Sequence, residues 1–224
     1  MVSSTLPINK LPSKAGDFPI LRVGLTGGIG CGKSAVANIL ESCGAAIIDT
    51  DLIAHEITAP GGLAIPGIAQ EFGPEMILPD GSLDRSKMRE LVFNDPSAKL
   101  ALEQITHPLI RQIGEERAYA ALQQKPPYLV FVVPLLVESG QWLLQEPPRI
   151  DYVVVVDCSE SQQITRVQRR SGLSTEVIHK IMDSQAKRED RLAVANYVIE
   201  NQGSLSELED KTRELHKLLT TYKK

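Results

Sequence analysis

Eight residues near the start of the chain have the types and spacing of a phosphate-binding loop. Residues 27–34 read Gly-Gly-Ile-Gly-Cys-Gly-Lys-Ser and match the pattern G-x-x-x-x-G-K-[ST] at every position. Glycines let successive backbone N–H groups turn inward around a phosphate chain, because no Cβ atom blocks the required conformations. Lys33 supplies positive charge for the outer phosphates, and the Ser34 hydroxyl can ligate Mg²⁺. This octet, called the phosphate loop below, predicts that the chain binds a nucleoside triphosphate.

The flanks of the phosphate loop support this prediction. Residues 21–26 read as a short buried strand, and apolar residues follow the loop at helical spacing until Gly44, where a helix would end. The phosphates would then lie at the positive end of the helix dipole. The residues expected to contact the nucleotide are Gly28, Ile29, Gly30, Cys31, Gly32, Lys33, Ser34 and Ala35.

Two aspartates follow the second predicted strand, residues 45–48. One of the two carboxylates, Asp49 or Asp51, could face the phosphates while the other ties down structure or a metal-bound water. A carboxylate there could accept the proton of an acceptor hydroxyl during phosphoryl transfer. The alternative for either residue is a helix N-cap, with Asp51 placed ahead of Leu52-Ile53-Ala54. Both roles stay open for both residues, although catalysis is the favoured role for one of them.

Basic residues are concentrated in the charged helical stretch that precedes the last predicted strand. They are Arg166, Arg169, Arg170, Lys187, Arg188 and Arg191. Phosphoryl transfer depends on positioning and on positive charge around the moving group. For any single residue, a solvated basic face is the simpler interpretation. As a group they indicate a lid over the nucleotide, because a chain with a net charge of −4 has gathered its cations there.

Several other nucleotide- and metal-binding patterns are missing from the sequence. The third predicted strand ends in Pro134 and not in the aspartate of a Walker B site, which counts against a motor or switch NTPase. No Asn-Lys-x-Asp signature for a guanine nucleotide occurs. The four histidines have no zinc-binding spacing, so no zinc site is predicted.

These residues need a scaffold that brings strand ends together. Further buried strands are predicted at residues 128–133, 152–156 and 197–199. Helices separate the strands, including two opened by Pro96 and Pro108 and a last one with the capping box Ser204-x-x-Glu207. The predicted core face of the last helix is Leu205, Leu208, Thr212, Leu215 and Leu219. The alternation predicts an α/β fold with a doubly wound, five-stranded parallel sheet, whose ligand site lies at the carboxyl ends of the strands.

Composition limits the possible partners and surroundings. The net charge of −4 gives no support to a nucleic-acid partner. Residues 1–20, rich in proline and small polar residues, are predicted to be a poorly ordered extension, and no apolar stretch is long enough to span a membrane. Three cysteines without C-x-x-C spacing, and no secretory signal, predict a reduced, cytoplasmic protein.

Several stretches give the chain a close resemblance to the dephospho-coenzyme A kinase family. They are residues 23–34, Ile-Asp-Thr-Asp-Leu-Ile-Ala (48–54), Gly-Ser-Leu-Asp-Arg (81–85), Arg-Glu-Leu-Val-Phe (89–93), His-Pro-Leu-Ile-Arg (107–111), Val-Pro-Leu-Leu-Val-Glu (133–138) and residues 185–201. The phosphate loop alone is shared by many kinases. The other stretches in this order are far more specific, and together they cover nearly the whole chain from residue 21 onward.

The resemblance implies a P-loop nucleoside-kinase-like fold that transfers the γ-phosphoryl group of ATP to the ribose 3′-hydroxyl of dephospho-CoA. The implied nucleotide-binding core is residues 21–59 and 128–224, with a lid at residues 159–191. Residues 60–127 would form a helical acceptor-binding domain. A monomer or weak homo-oligomer is expected, with ATP and dephospho-CoA as ligands, Mg²⁺ as cofactor, and no nucleic acid or membrane partner.

The resemblance also assigns roles to individual residues. The catalytic residues it implies are Asp51, Lys33 and Arg169; Asn201 would lie near the adenine, Ser34 at the Mg²⁺ ion, and Asp49, His107 and Arg111 at the acceptor. Three positions depart from the family pattern, with Cys31 for a usual Ser, Thr50 for a usual Ala and Asn196 for a usual Asp. Because Cys31 lies among phosphate-binding amides and beside Lys33, we expect a lowered thiol pKa and activity that is sensitive to oxidation.

Two other functions compete with this interpretation. A different nucleoside or nucleotide kinase is disfavoured by the helical insertion between the second and third strands and by the motifs in it. A regulatory protein that binds nucleotide without transferring phosphate is disfavoured by the missing Walker B aspartate and the arginine-rich segment.

Overall fold

The computed structural model describes residues 19–140, 142–143 and 149–222. The predicted poorly ordered extension, residues 1–20, lies almost entirely outside the described residues. Within the part that is described, no helix combines the length and the apolar character that a membrane-spanning segment needs.

Five strands form one sheet in the described part of the chain. They are β1 (Arg22–Gly27), β2 (Ala46–Asp49), β3 (Leu129–Val132), β4 (Tyr152–Asp157) and β5 (Tyr197–Glu200). Their order across the sheet is β2-β3-β1-β4-β5, and the pairings of β1 with β3, of β1 with β4 and of β4 with β5 are parallel. Every residue of β3 and β4 is buried, because helices cover both faces of the sheet. The predicted α/β parallel fold is confirmed, and the strands lie within about one residue of their predicted bounds.

The helices connect these strands and supply most of the remaining core. They are α1 (Lys33–Ser42), α2 (Thr50–Ile57), α3 (Ile65–Phe72), α4 (Arg85–Asn94), α5 (Pro96–Ala121), α6 (Leu136–Ser139), α7 (Glu160–Ser171), α8 (Thr175–Asp183), α9 (Arg188–Ala193) and α10 (Leu205–Thr221). In α10 the predicted cap is confirmed, since Ser204 Oγ accepts a hydrogen bond from the Glu207 N–H at 3.2 Å. The predicted core face of α10 was wrong at Leu205, which is 69% exposed because it lies at the first position, ahead of the turn that packs on the sheet.

The chain divides into two compact units, one with residues up to 48 and from 124 onward, the other with residues 49–123. The first unit holds the sheet, and its core joins alternate side chains of β1, β3 and β4 to the buried faces of α1 and α10.

The second unit consists of α2 to α5. Its long helix α5 packs against α2, α3 and α4. Arg85 ties α4 to the end of α2, with its Nη2 donating to Thr58 Oγ1 at 2.6 Å and to the His55 carbonyl at 3.1 Å. The prediction that Pro108 opens a separate helix was wrong, because α5 runs unbroken through Pro108 from a start at Pro96, where Asp95 caps it.

Candidate active site

The phosphate loop connects β1 to α1, and its conformation depends on glycine at both ends. Gly27 has φ of 151°, and a Cβ atom there would lie 2.2 Å from the Val156 carbonyl oxygen of the neighbouring strand. Gly32 precedes α1 with φ of 98°, and a Cβ atom there would lie 2.5 Å from Asn201 Nδ2. Any larger residue at either position would push the loop away from β4 or from Asn201.

The loop presents positive charge and N–H groups at the start of α1. The first turn of a helix has N–H groups without intrahelical acceptors, which makes this end a site for anions. The Lys33 ammonium donates to the Gly27 carbonyl at 2.7 Å and to the Gly28 carbonyl at 3.2 Å, so that it lies against the loop. Ser34 is exposed, and its hydroxyl makes no hydrogen bond with any described residue. The arrangement suits a phosphate chain with an accompanying cation.

Asn201, which directly follows β5, is hydrogen-bonded to the phosphate loop. Its Nδ2 donates to the Cys31 carbonyl at 2.8 Å, and its own N–H donates to the Asp157 carbonyl at 2.8 Å. Arg166 of α7 donates from Nη2 to the Asn201 carbonyl at 3.1 Å and to Oδ1 at 3.3 Å. Asn201 is 7% exposed. It therefore stabilises the loop, while its contact with the adenine stays a prediction.

A buried carboxylate at the end of β4 holds one of the lid arginines. Asp157 is 2% exposed, and both of its oxygens accept hydrogen bonds at 3.0 Å from Nε of Arg188. Nη2 of Arg188 lies 2.5 Å from Asp157 Oδ2. The sequence analysis missed Asp157, although its place at the carboxyl end of a central strand is where the fold puts ligand-binding residues.

The segment between α8 and α9 contacts the phosphate loop. Gln185 Oε1 accepts from the Ile29 N–H at 2.9 Å. Arg191 is 6% exposed, donates to the Ala186 carbonyl and lies beside Gly28, where a Cβ atom would be 3.2 Å from its Nη2. Sequence reasoning missed Gln185, and it treated Arg191 as one of a group of lid cations when it is a buried packing residue.

The predicted lid cations therefore differ from one another. Arg166, Arg188 and Arg191 are held by hydrogen bonds within the first unit. Arg170 is exposed, and among the described residues it donates a hydrogen bond only to the neighbouring Ser171 hydroxyl. Arg169 is exposed and makes no hydrogen bond or ion pair with any residue that the structure describes. Its catalytic role stays a prediction.

Two buried thiols, Cys31 of the phosphate loop and Cys158 after β4, are in contact. Cys31 Sγ lies 3.1 Å from Cys158 Sγ, and both residues are buried. The pKa of the Cys31 thiol is lowered, chiefly because Cys158 donates a hydrogen bond to it and secondarily because Lys33 is close, with burial acting in the opposite sense. The pKa of Cys158 is raised by the same contact and by burial. The lowered pKa agrees with the sequence expectation, but its main cause, Cys158, was not foreseen.

In the second unit, Asp49 and Asp51 have different structural positions. Asp49 caps α2, since its Oδ1 accepts from the Asp51 N–H at 2.9 Å and from the Leu52 N–H at 3.2 Å. Asp51 is exposed in the first turn of that helix. The N-cap alternative is therefore confirmed for Asp49 and was wrong for Asp51. The role of Asp51 as a general base stays a prediction.

His107 and Arg111 lie one turn apart on α5, and both are half-buried. Spacing of four residues places them on the same face of the helix. Pro108 lies between them, inside the helix. Their predicted contact with the acceptor stays a prediction.

The structure shows the surroundings of two residues that were expected to depart from the family pattern, Asn196 and Thr50. Asn196 Oδ1 accepts from the Val153 N–H at 2.7 Å, and the Asn196 N–H donates to the Val153 carbonyl at 2.9 Å. The amide oxygen of Asn196 therefore accepts this hydrogen bond, although without the added strength of a charged acceptor. Thr50 is buried at the first position of α2.

Comparisons with known proteins agree with one another. The family model described as dephospho-CoA kinase matches residues 21–207. A dephospho-CoA kinase from Cupriavidus pinatubonensis is 54% identical over 205 residues, which are 91% of this chain and 95% of that protein. A crystal structure of a Thermus thermophilus protein superposes with a TM-score of 0.74 at 32% identity, over 92% of this chain and all of the other. A dephospho-CoA kinase from Campylobacter jejuni gives a TM-score of 0.60 at 25% identity, with the same coverage.

Proposed function

Because the chain belongs to the dephospho-CoA kinase family, we propose that it transfers the γ-phosphoryl group of ATP to the ribose 3′-hydroxyl of dephospho-CoA. The products are coenzyme A and ADP. The observation that carries this proposal is the family match over residues 21–207, which spans the phosphate loop, both aspartates and the whole of the second unit. A fold alone would not support a substrate, because P-loop folds serve many reactions.

The nucleotide is bound by the phosphate loop and the start of α1. The backbone N–H groups there bind the phosphate oxygens, and Lys33 neutralises charge that grows on the moving phosphoryl group. Because Ser34 presents an exposed hydroxyl beside this position, it fits Mg²⁺, which proteins commonly bind through a few oxygen ligands together with substrate phosphates. The ion would supply further positive charge to those phosphates.

The acceptor is activated by Asp51. Its carboxylate accepts the proton of the ribose 3′-hydroxyl as that oxygen bonds to the γ-phosphorus. The bond between the γ-phosphorus and the bridging β–γ oxygen breaks, and ADP leaves. His107 and Arg111 hold the anionic acceptor through their shared face of α5, and Asp49 fixes the start of the helix that carries Asp51.

The remaining assignments follow from the same proposal. Residues 60–127 bind the acceptor, and residues 159–191 form the lid from which Arg169 reaches the transferred group. Arg169 suits this role because it is exposed and uncommitted to any described residue. The protein works in the cytoplasm as a monomer or weak homo-oligomer.

ADP release measured with a panel of acceptors tests the proposal. Dephospho-CoA should support turnover, whereas coenzyme A should not, because its 3′-hydroxyl already carries phosphate. Equal turnover with adenosine or AMP would make the protein a nucleoside or nucleotide kinase. ADP release that is indifferent to any acceptor would make it a simple nucleotide hydrolase, and tight ATP binding without turnover would make it a regulatory binding protein.

A further inference from the structure

The two thiols behind the phosphate loop come from segments that are far apart in the sequence. Cys31 lies in the loop after β1, and Cys158 is the first residue after β4. The parallel pairing of β1 with β4 places Gly27 beside Val156, so the two strands end next to each other. Their sulfur atoms are 3.1 Å apart, and both side chains are at most 1% exposed. A disulfide requires about 2.0 Å between the sulfurs, so closing the pair needs a shift of about 1 Å.

The charges around the pair favour a nucleophilic sulfur on Cys31. Cys158 donates its S–H to that sulfur, and the Lys33 ammonium is close enough to stabilise a thiolate. The charge of Arg166 acts to lower the pKa of Cys158, but the hydrogen bond to Cys31 and burial outweigh it, so that the pKa of Cys158 is raised. A thiolate is the reactive form of cysteine in oxidation and exchange. The third cysteine, Cys43, belongs to a different place, just beyond the end of α1.

We propose that Cys31 and Cys158 form a redox modification site of the phosphate loop, which takes a small hydroperoxide as oxidant and yields an intramolecular disulfide. The site goes beyond the proposed phosphoryl transfer, which needs neither sulfur. It also differs from oxidation of one reactive cysteine, because the second thiol converts the sulfenic acid into a disulfide before it is oxidised further to irreversible products.

The chemistry has two balanced steps. In the first, the Cys31 thiolate attacks the terminal oxygen of the hydroperoxide; an S–O bond forms, the O–O bond breaks, and the departing alkoxide or hydroxide takes a proton. In the second, the Cys158 sulfur attacks the sulfur of the Cys31 sulfenic acid. The S–S bond forms, the S–O bond breaks, and water leaves with the proton of Cys158. Overall, two thiols lose two electrons and two protons, and the hydroperoxide becomes an alcohol or water plus a second water.

The disulfide alters the loop because the loop has little room to adjust. The Cys31 carbonyl is held by Asn201, and the next residue, Gly32, already lies against the same side chain. Drawing the Cys31 sulfur toward β4 therefore moves the backbone that should bind phosphate. A misplacement of about 1 Å at a reacting site can cost on the order of 10²-fold in rate. We expect oxidation to lower turnover by at least roughly tenfold, and a dithiol to restore it by thiol–disulfide exchange.

The test oxidises the full-length protein with hydrogen peroxide and follows two readouts. Peptide mapping by mass spectrometry should find a disulfide between the peptides that contain Cys31 and Cys158, with the intact mass lower by two hydrogens. Acceptor-dependent ADP release should fall in step with the disulfide and recover fully with dithiothreitol. Bound MgATP should slow both changes, because Cys31 belongs to the loop that is proposed to bind the nucleotide phosphates.

Two variants separate the disulfide from other effects. Cys158→Ser keeps a hydrogen-bond donor beside Cys31 but cannot form the bond. Its activity before oxidation should match wild type, and prolonged peroxide treatment should add oxygen to Cys31 until a dithiol no longer restores activity. Cys43→Ser is the matched control and should respond like wild type.

Three results would overturn the proposal. One is a wild-type protein in which no peptide linked through Cys31 and Cys158 is found after oxidation. Another is a Cys158→Ser variant that loses and regains activity as wild type does. The third is a fully disulfide-linked protein with undiminished turnover, which would mean that the bond leaves the phosphate-binding backbone in place.

Discussion

The two aspartates at the start of α2 are two residues apart but are predicted to do separable work. Asp49 binds backbone N–H groups, and Asp51 extends from the first turn of the helix. Asp51→Asn should lower kcat by a factor on the order of 10² to 10⁴, because a general base acts only in the transfer step. The dissociation constant for ATP and the melting temperature should hardly change. Steady-state kinetics, nucleotide titration and thermal unfolding measure the three quantities.

Variants that remove a helix N-cap serve as the control for Asp51→Asn. Asp49→Ala should lower the free energy of unfolding by about 1 kcal/mol, since it removes the acceptor for two N–H groups at the start of α2. Asp95→Ala removes the same kind of cap from α5 and should cost a similar amount. If Asp51→Asn instead behaved like these two, with lower stability and unchanged turnover, its proposed role as a base would be wrong.

Arg188 is oriented by a buried carboxylate. Asp157 accepts from it through both oxygens, and the charge of Arg188 also interacts with Cys31 of the phosphate loop. Arg188→Lys keeps the charge but loses the two-pronged geometry, so kcat/KM for ATP should fall by about tenfold. The melting temperature should change little, because Asp157 keeps a positive partner.

Two further arginine variants test this interpretation of Arg188. Arg188→Ala should lower both turnover and stability, since it leaves the buried Asp157 carboxylate without its partner. Arg170→Ala should leave both near wild type, because Arg170 is exposed and among the described residues hydrogen-bonds only to Ser171. Equal loss of turnover in the Arg170 and Arg188 variants would mean that only general positive charge matters.

Among the helices, α5 contains a proline at an interior position, where a helix tolerates it poorly. Pro108 lacks the N–H that would bond to the carbonyl one turn earlier, and its ring crowds that carbonyl, at a cost of about 3 kcal/mol in a helix interior. Pro108→Ala should therefore raise the free energy of unfolding by about 1 to 3 kcal/mol, measured by urea denaturation. If the proline sets the orientation of His107 and Arg111, the KM for dephospho-CoA should rise in the same variant.

The first residue of the same helix supplies the matched control. Pro96 occupies the first position of α5, where no intrahelical N–H bond is lost and the fixed φ suits the helix. Pro96→Ala should leave stability unchanged or slightly lower, because the unfolded chain gains freedom. A Pro108→Ala variant no more stable than Pro96→Ala would show that α5 has adapted to the proline without cost.

Local sequence patterns predicted most of the helices and strands, but not every position at which a helix begins. The apolar runs placed all five strands, and Ser204 was identified as a cap because capping depends on neighbours in the sequence. Pro108 misled, because a proline looks the same at a helix start and inside a helix that tertiary packing maintains. Asp51 misled because the sequence allowed either aspartate to cap, and only the structure shows that Asp49 accepts from the Asp51 and Leu52 N–H groups.

At the scale of the whole molecule, strand order explains what sequence reasoning missed. The sheet places β1, β4 and β5 side by side, so that the phosphate loop, Asp157 and Asn201 gather at one edge. Cys31 and Cys158 meet there although 127 positions separate them. Each residue lay in a predicted strand or just beyond one, but no local pattern states which strands are neighbours. Contacts between distant segments therefore had to come from the structure.

A last prediction concerns the alkaline limit of stability. Tyr152, at the start of β4, is buried near Tyr197 and Tyr222; burial first, and these neighbours second, raise its pKa to about 12. Its ordinary value of about 10 applies in the unfolded chain. Between these values the unfolded chain loses the phenol proton while the folded one keeps it, so stability is fully present below about pH 10 and falls as pH rises toward 12. A shift of this size corresponds to on the order of 2 to 3 kcal/mol.

Tyr152→Phe isolates this contribution. Urea denaturation from about pH 9 to about pH 12 should give a shallower loss of stability in the variant than in wild type, because phenylalanine has no proton to release. In the folded Tyr152→Phe variant, phenolate absorbance should lack one tyrosine that titrates at high pH in folded wild type. In urea, the tyrosines of both unfolded chains should titrate near pH 10. Tyr128, whose pKa burial also raises, remains in both proteins and accounts for part of the residual slope. Identical slopes for the two proteins would mean that the Tyr152 hydroxyl reaches water in the folded state and that its burial at the start of β4 does not control the alkaline transition.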